Sequence, residues 1–462
     1  MITMKASEIA AIVGGVLHGD DTVISAPAFL SSRDCLPGSI FLAIKGENVD
    51  GHDFVGDAAS RGAAISITSR VVPGNCVVVA DVTRAIGLLA AHVRSQLKNL
   101  TVIGITGSQG KTTTKELLAS VLSAKGLTVS PKGNHNNELG VPLTVLQCDE
   151  KTEFCIAEMG ARHQGDIAAL AAIAQPHIGV VLRVAAAHIG EFGSIEKIAE
   201  TKSEMIQSLC QDDIAILGTY DDYTPAMASL HHGRTITFGE NTSATIRATD
   251  IELRDGRAHF DLVTPEGRST VALRQYGIHQ IGNALAAAAV AHAVGISTDH
   301  IAGSLSTAEV HARWRMEVRE LEDLVIINDA YNASPDSMAA ALTTLTHLTQ
   351  ERGGESWAFL GNMRELGATS SKAHAEIAAL ASQLGVDHLV AIAAPDYKSG
   401  IGPTTMLHEC ASVDEAIEFV KFINRGDVIL CKASRSDKLE VVAEGLEDLW
   451  NTKIAKEEGD KK

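Results

Sequence analysis

A chain of 462 residues, 45% hydrophobic, 21% charged and only 4% aromatic, has room for two to four domains whose cores lean on aliphatic and alanine contacts. Its net charge of −18 argues against a general nucleic-acid binder, so an anionic ligand would have to be met locally by placed Lys, Arg, backbone N–H groups or metal. No apolar run approaches the roughly 20 residues of a membrane-spanning helix, and the seven cysteines form no C-x-x-C pair, which suggests neither a disulfide framework nor a cysteine zinc site.

The first helix-like segment (Ile9, Ile12, Val13) is interrupted by Glu8 and lacks the basic stretch and apolar core of a signal peptide. A reducing, cytoplasmic setting is expected. Residues 1–98 mix short strands and helices around a turn-rich stretch, Ser31-Ser32-Arg33-Asp34-Cys35-Leu36-Pro37-Gly38, followed by a buried strand that ends near Lys45-Gly46. From 99 to 311 the pattern becomes strand, Gly-rich loop, helix. Buried strands are expected at Thr101–Thr106, Glu153–Glu158 and Ile178–Val184, and a helix through Leu117, Leu118, Val121 and Leu122. Residues 234–275 alternate apolar and polar positions and break at Asp255-Gly256 and Glu266-Gly267, which predicts a meander of antiparallel hairpins. From 312 to 462 strands are expected at 324–328, 356–360, 387–393 and 427–431, separated by helices, as in a second doubly wound sheet with a frayed tail. The expected fold class is α/β in three domains: a small mixed N-terminal domain, a central P-loop mononucleotide-binding domain and a C-terminal Rossmann-like domain.

Thr106-Gly107-Ser108-Gln109-Gly110-Lys111-Thr112-Thr113 lies between a predicted strand and a predicted helix. Glycines there let backbone N–H groups turn onto phosphate oxygens, and the helix N-terminus adds positive potential. Lys111 can reach the terminal phosphates and the Thr112 hydroxyl can ligate Mg²⁺, although Ile105 stands at the first glycine position of the general pattern. Glu158 ends one predicted strand and His188 follows another; in an open α/β sheet both would converge on the edge that carries the phosphate loop. A carboxylate, an imidazole and a hydroxyl beside a triphosphate suit magnesium. Lys202, taken alone, reads as a solvated helix lysine.

These residues are familiar as a set. The loop 106–114, Gly133-Asn-His-Asn-Asn-Glu-Leu-Gly-Val-Pro142, Glu158-Met-Gly-Ala161, Ala187-His188 through Phe192-Gly193-Ser194, Lys202, Asn283-Ala284, Arg315-Met316-Glu317, Asp329 to Met338, Leu360 to Gly367 and Lys432-Ala-Ser-Arg435 resemble, in order, the Mur ligase family. The resemblance implies an ATP-dependent ligase that joins a carboxylate to an amine in peptidoglycan precursor synthesis. The Asn-Asn-Glu-Leu-Gly-Val-Pro loop and Tyr331 to Asp336 point to the type that adds D-alanyl-D-alanine to UDP-N-acetylmuramoyl-tripeptide, acting as a monomer without nucleic acid or membrane insertion.

By the same resemblance, Gly107, Ser108, Gln109, Gly110, Lys111, Thr112 and Thr113 hold the ATP phosphates, Asn283 the adenine, and Arg315 and Asp329 the nucleotide from the C-terminal side. Thr112 and Glu158 bind one Mg²⁺; Glu158, His188 and a carbamylated Lys202 bind a second. Lys111, His188 and Lys202 are thus the implied catalytic groups. Ser31, Ser32, Arg33, Lys45 and Gly46 hold the UDP end, and Asn136, Asn137, Tyr331, Asn332, Lys432, Ser434 and Arg435 the rest of the substrates. Arg183 and Ala185 stand where the family usually shows Asn and Gly, and Ala433 replaces a Gly; Arg183 is expected to pair with Glu158. Two other readings stay open: a related ligase for another amino acid or dipeptide, and a nucleotide-binding relative whose catalysis is weakened.

Overall fold

The computed structural model describes residues 1–131, 133–186 and 189–459, with side chains as far as 456. Strand burial follows directly from side-chain alternation. Along Thr101–Thr106, Val102 enters one apolar cluster while Ile103 and Ile105 enter another on the opposite face. Phe154–Glu158 splits the same way, with Cys155 and Ala157 on one side and Phe154 and Ile156 on the other. Strands buried on both faces read as continuous apolar runs, and helices cover each side.

Among the described residues the largest sheet has nine strands. It runs from Gly267–Tyr276 through Arg257–Thr264, Ile246–Arg254, Arg234–Gly239, Ile214–Gly218, Ile178–Val181, Thr101–Thr106 and Phe154–Glu158 to Thr128–Val129. The expected meander is only partly right. Arg234–Gly239 pairs parallel to Ile214–Gly218, and Ile246–Arg254 joins it parallel at Phe238 and Gly239 before turning into antiparallel hairpins. Alternating polarity cannot distinguish these arrangements, because a half-buried strand shows it in either direction. The Asp255-Gly256 turn does behave as read: both residues take positive φ (49° and 67°), as a tight hairpin turn of matching twist requires.

The C-terminal sheet has the order Glu317–Leu321, Leu324–Asn328, Val428–Lys432, Ser356–Leu360, His388–Ile392, Met406–Cys410, parallel except at its first pair. Both edge strands went unread in the sequence; their residues are largely exposed or half-buried and lack the apolar runs of the central strands. Of the last dozen residues expected to fray, 451–459 continue the helix Glu440–Gly459, and the final three lie outside the described residues. A five-stranded sheet of short strands forms the N-terminal part, closed by the helices Ala6–Val13 and Val82–Gln96.

The division at 98/99 falls between sheets but not between cores. One apolar cluster runs from Ile9, Ile86 and Val93 into Val102, Val141 and Ile206. Arg94, buried on Val82–Gln96, donates to the carbonyls of Ala174 (3.2 Å) and Gln175 (3.1 Å) at the end of the helix Asp166–Ala174. A cation on the last carbonyls of a helix answers both their unmet acceptors and their negative potential. The N-terminal part is thereby locked onto the central sheet, and the carboxyl edges of the two large sheets are left facing one cleft.

Candidate active site

The phosphate-type loop is shaped by close backbone approach. Gly107 (φ 149°) and Gly110 (φ 82°) have no room for a side chain: a Cβ on Gly107 would lie 2.9 Å from the Leu182 Cβ, and one on Gly110 would strike the Asn283 amide oxygen. Ser108 ties the loop to the neighbouring segment, its N–H donating to the Arg183 carbonyl (2.9 Å) and its hydroxyl bonding to the Ala185 backbone (3.0 Å). The helix Lys111–Ser123 begins at Gly110 without a side-chain cap, so its first N–H groups face the cleft. Lys111 folds back onto the Gly107 carbonyl at 2.8 Å, and burial first, then Arg315, lowers its pKa against the opposing pull of Glu158. Thr113 lines the same cleft, and Asn283 meets Thr114 at 3.4 Å.

Glu158 ends its strand 1% exposed. One carboxylate oxygen accepts from Asn136 (2.9 Å) and from the Thr112 hydroxyl (3.3 Å); the other is buried with no partner among the described residues. A buried carboxylate oxygen left bare is costly in water-free protein and suits a cation. Among the described residues no group of three or more His, Cys, Asp or Glu side chains is placed to hold a metal ion. Beside Glu158, the Thr112 hydroxyl is the oxygen donor that the described residues bring to this point. Lys202 lies on the helix Ile195–Gln207, 4% exposed. Its ammonium makes no hydrogen bond to a described residue, and burial, then the Lys111 charge, pushes its pKa down to about 7. His188 lies outside the described residues.

Arg183 does not pair with Glu158. Its guanidinium sits 5.7 Å from the centre of the Tyr220 ring, on the wall that also carries Glu240, and its Nε is buried without a partner. Its backbone is held on the loop side, where the Arg183 carbonyl accepts from the Ser108 N–H. The Cβ of Ala433 is accommodated by its neighbour, since Gly361 leaves the space where a Cβ would come within 2.7 Å of it.

The opposite wall comes from the C-terminal sheet. Lys432, 1% exposed, pairs with Asp329 at 2.5 Å and donates to the Asn332 carbonyl at 2.8 Å. Arg315 stacks 3.8 Å over Tyr331, and Arg435 lies 4.2 Å over Trp314 while pairing with Glu440. The Ser434 hydroxyl accepts from the Arg364 N–H at 2.9 Å. Gln109 crosses the cleft to Ser334 at 3.2 Å. The cleft holds about 1130 Å³, and its lining includes Lys111, Thr112, Asn136, Asn137, Glu158, Lys202, Asn283, Arg315, Asp329, Tyr331, Asn332, Lys432, Ser434 and Arg435.

The N-terminal set is less converged. Ser31, Ser32 and Arg33 follow the strand Ala28–Phe29, and Lys45 and Gly46 follow its parallel neighbour Ile40–Leu42, so all five share one sheet edge. Of that region only Leu30 is among the lining residues; Ser32 is buried, and Arg33, Lys45 and Gly46 are exposed. Sequence reading missed His279, which lines the cleft with its Nδ1 buried and unpartnered, and which burial pushes down to about 4. It also missed Tyr220 and Glu240, neither of which sits in a spacing that carries meaning without the fold, and gave no role to Arg364 although that residue lies within the Leu360 to Gly367 motif.

Family models agree with this architecture. One described as the Mur ligase middle domain matches residues 105–291, one described as the Mur ligase glutamate ligase domain matches 314–435, and one described as the Mur ligase family catalytic domain matches 29–95. The chain belongs to the Mur ligase family. Among Mur ligases it is similar to the UDP-N-acetylmuramoyl-tripeptide–D-alanyl-D-alanine ligase of Mycobacterium tuberculosis, at 38% identity over 96% of this chain and 98% of that protein. The Escherichia coli protein of the same name is 32% identical, over 97% and 99%. Among solved structures, MurF from Acinetobacter baumannii superposes with a TM-score of 0.87 at 33% identity, covering 97% of this chain and 99% of that one. MurF ligase from Thermotoga maritima in complex with ADP gives 0.79 at 30% identity, over 93% and 98%.

Proposed function

We propose that this Mur ligase adds D-alanyl-D-alanine to UDP-N-acetylmuramoyl-tripeptide at the expense of ATP, in the cytoplasm, as a step of peptidoglycan precursor synthesis. Relatives of that name at 32–38% identity along nearly the whole chain support the substrates. The observation that carries the chemistry is the shared cleft: an anion-binding loop, an under-coordinated carboxylate and a depressed lysine on one wall face a cationic wall on the other.

A carboxylate is a poor electrophile, so amide formation needs activation. The terminal carboxylate of the tripeptide attacks the γ-phosphorus of ATP, giving an acyl phosphate and ADP. The free amine of D-alanyl-D-alanine attacks that carbonyl, phosphate leaves, and the amine proton is lost to solvent. In this reading Gly107 to Thr113 cradle the phosphates and Lys111 spreads their charge. Asn283 faces the base, and Arg315 with Asp329 closes on the nucleotide. Thr112 and Glu158 would hold Mg²⁺, which would neutralise phosphate charge. Glu158, His188 and Lys202 would hold a second ion if Lys202 were carbamylated. That reaction joins a neutral amine to CO₂ and releases a proton, and a lysine whose pKa is near 7 supplies the neutral amine at physiological pH. Asn136, Asn137, Tyr331, Asn332, Lys432, Ser434 and Arg435 position the peptide ends, and Ser31, Ser32, Arg33, Lys45 and Gly46 the UDP end. Among the described residues no helix is long and apolar enough to cross a membrane.

The test is phosphate release from ATP with the UDP-tripeptide and D-alanyl-D-alanine added separately and together. Release matched to ligated product, and only with both, is expected; hydrolysis indifferent to either peptide would overturn the reading.

A further inference from the structure

Lys115 has no place in the chemistry above, yet it is 1% exposed and carries a charge one turn beyond Lys111 on the same helix. Its ammonium donates to the Pro131 carbonyl at 2.8 Å and to the Gly133 carbonyl at 2.7 Å, with the Glu116 carboxylate at 3.8 Å. Among the described residues no other donor reaches those two carbonyls. They belong to the segment that leaves Thr128–Val129 and delivers Asn136 and Asn137 to the cleft before the helix Gly140–Val145.

What lies further along that segment gives the contact its meaning. The Asn136 side chain donates to Glu158, and its carbonyl accepts from the Gly160 N–H at 2.7 Å. The Asn137 side chain accepts from the Gly140 N–H at 3.0 Å. The segment is thus pinned at its far end by Glu158, Gly160 and its own helix, and at its near end by Lys115 alone among the described side chains. Among the described residues, Pro131 and 133–139 belong to no strand or helix, so their backbone acceptors need outside donors. A buried lysine placed between two carbonyls supplies them with a charge-assisted bond. Burial lowers its pKa, and Glu158 and then Glu116 oppose that shift.

We propose that Lys115 is a positioning residue: it fastens the 131–137 segment to the nucleotide-loop helix, so that Asn136 and Asn137 are held in the cleft in fixed register with Lys111 and Thr112. The inference rests on the proposed assignment of that cleft. It makes one helix serve two ligands, its first turn the phosphates and its second turn the loop that meets the other substrate.

The test is Lys115→Met in the full chain, compared with Asn136→Ala, by two routes. Amide hydrogen exchange over 131–140 should quicken in Lys115→Met while 101–110 and the C-terminal sheet keep wild-type protection; ADP affinity should stay within about twofold. Ligation should show KM for the UDP-tripeptide raised about tenfold or more with KM for ATP little changed. Asn136→Ala should reproduce the KM rise while exchange at 133–134 keeps its wild-type rate, and the double variant should be no worse than the worse single. Unchanged exchange at 131–140, or a loss of kcat with both KM values intact, overturns the proposal. The exchange and ADP measurements need no ligase activity, so failure of the assigned reaction would show separately, in wild-type protein that does not ligate. Should Lys115→Met not fold, Lys115→Gln, which keeps a donor at shorter reach, is read against the same outcomes.

Discussion

Two buried lysines face each other across the cleft, and they have been left in opposite electrostatic states. Lys432, on the C-terminal wall, has a carboxylate at 2.5 Å and a carbonyl at 2.8 Å. Lys202, on the central wall, has no hydrogen bond to a described residue and another lysine as its second-largest perturbation. Glu158 beside it keeps one carboxylate oxygen bare, whereas Asp329 opposite accepts from Lys432 and from the Met316 N–H at 3.0 Å. Lys432 and Asp329 on the C-terminal wall therefore satisfy each other, whereas Glu158 and Lys202 on the central wall are satisfied only with something bound. Polar groups buried without partners are expensive, so Glu158 and Lys202 mark where ligands supply the missing charge and bonds.

The comparison can be broken most forcefully at Lys202. Lys202→Ala should lower ligation by about 10³-fold while leaving ADP binding within about threefold, because it removes a group used for the reacting phosphate rather than for folding. Steady-state ligation beside calorimetric ADP titration reads both. Lys432→Met should do the reverse in kind: it leaves Asp329 buried and unpaired, which costs roughly 3–5 kcal/mol of stability, read from denaturant unfolding. Equal stability loss in the two variants would erase the distinction between the walls.

A pH profile sharpens it further. The folded pKa of Lys202 is about 7 against an ordinary 10.5. Below pH 7 both folded and unfolded chains hold the proton, and the fold bears the full cost of a buried charge. Between 7 and 10.5 the unfolded chain binds more protons than the native one, so stability should rise with pH across that window. Lys202→Met should flatten the rise; Lys432→Met should not. The smallest effect is expected at the bridge between the walls. Gln109→Ala, which deletes a single partly buried hydrogen bond to Ser334, should weaken ATP by only a few-fold, or about 1 kcal/mol, in KM measurements.

Much of this could be read before any coordinates. The strands Thr101–Thr106, Phe154–Glu158 and Leu324–Asn328 fall where apolar runs end in turn residues, since doubly buried parallel strands have no polar face to blur them. Lys111, Thr112 and Glu158 were placed on one edge by the rule that carboxyl ends of parallel strands share it. Edge strands such as Glu317–Leu321 and Met406–Cys410 escaped, because half-exposed segments need no apolar signature. The parallel pairing of Arg234–Gly239 escaped because direction leaves no trace in alternation.

The sequence by itself determined the local matters: where glycines permit a phosphate loop, where apolar periods of two and of 3.6 residues make strands and helices, and which family the ordered motifs resemble. Tertiary structure alone decided which charges are satisfied. Lys115, Lys202 and Lys432 are all buried lysines; the fold alone made one a clamp between carbonyls, one a depressed amine and one half of an ion pair. Arg183 turned toward Tyr220 rather than Glu158 for the same reason. Desolvation and hydrogen bonding depend on neighbours distant in the chain, and no spacing along the chain encodes them.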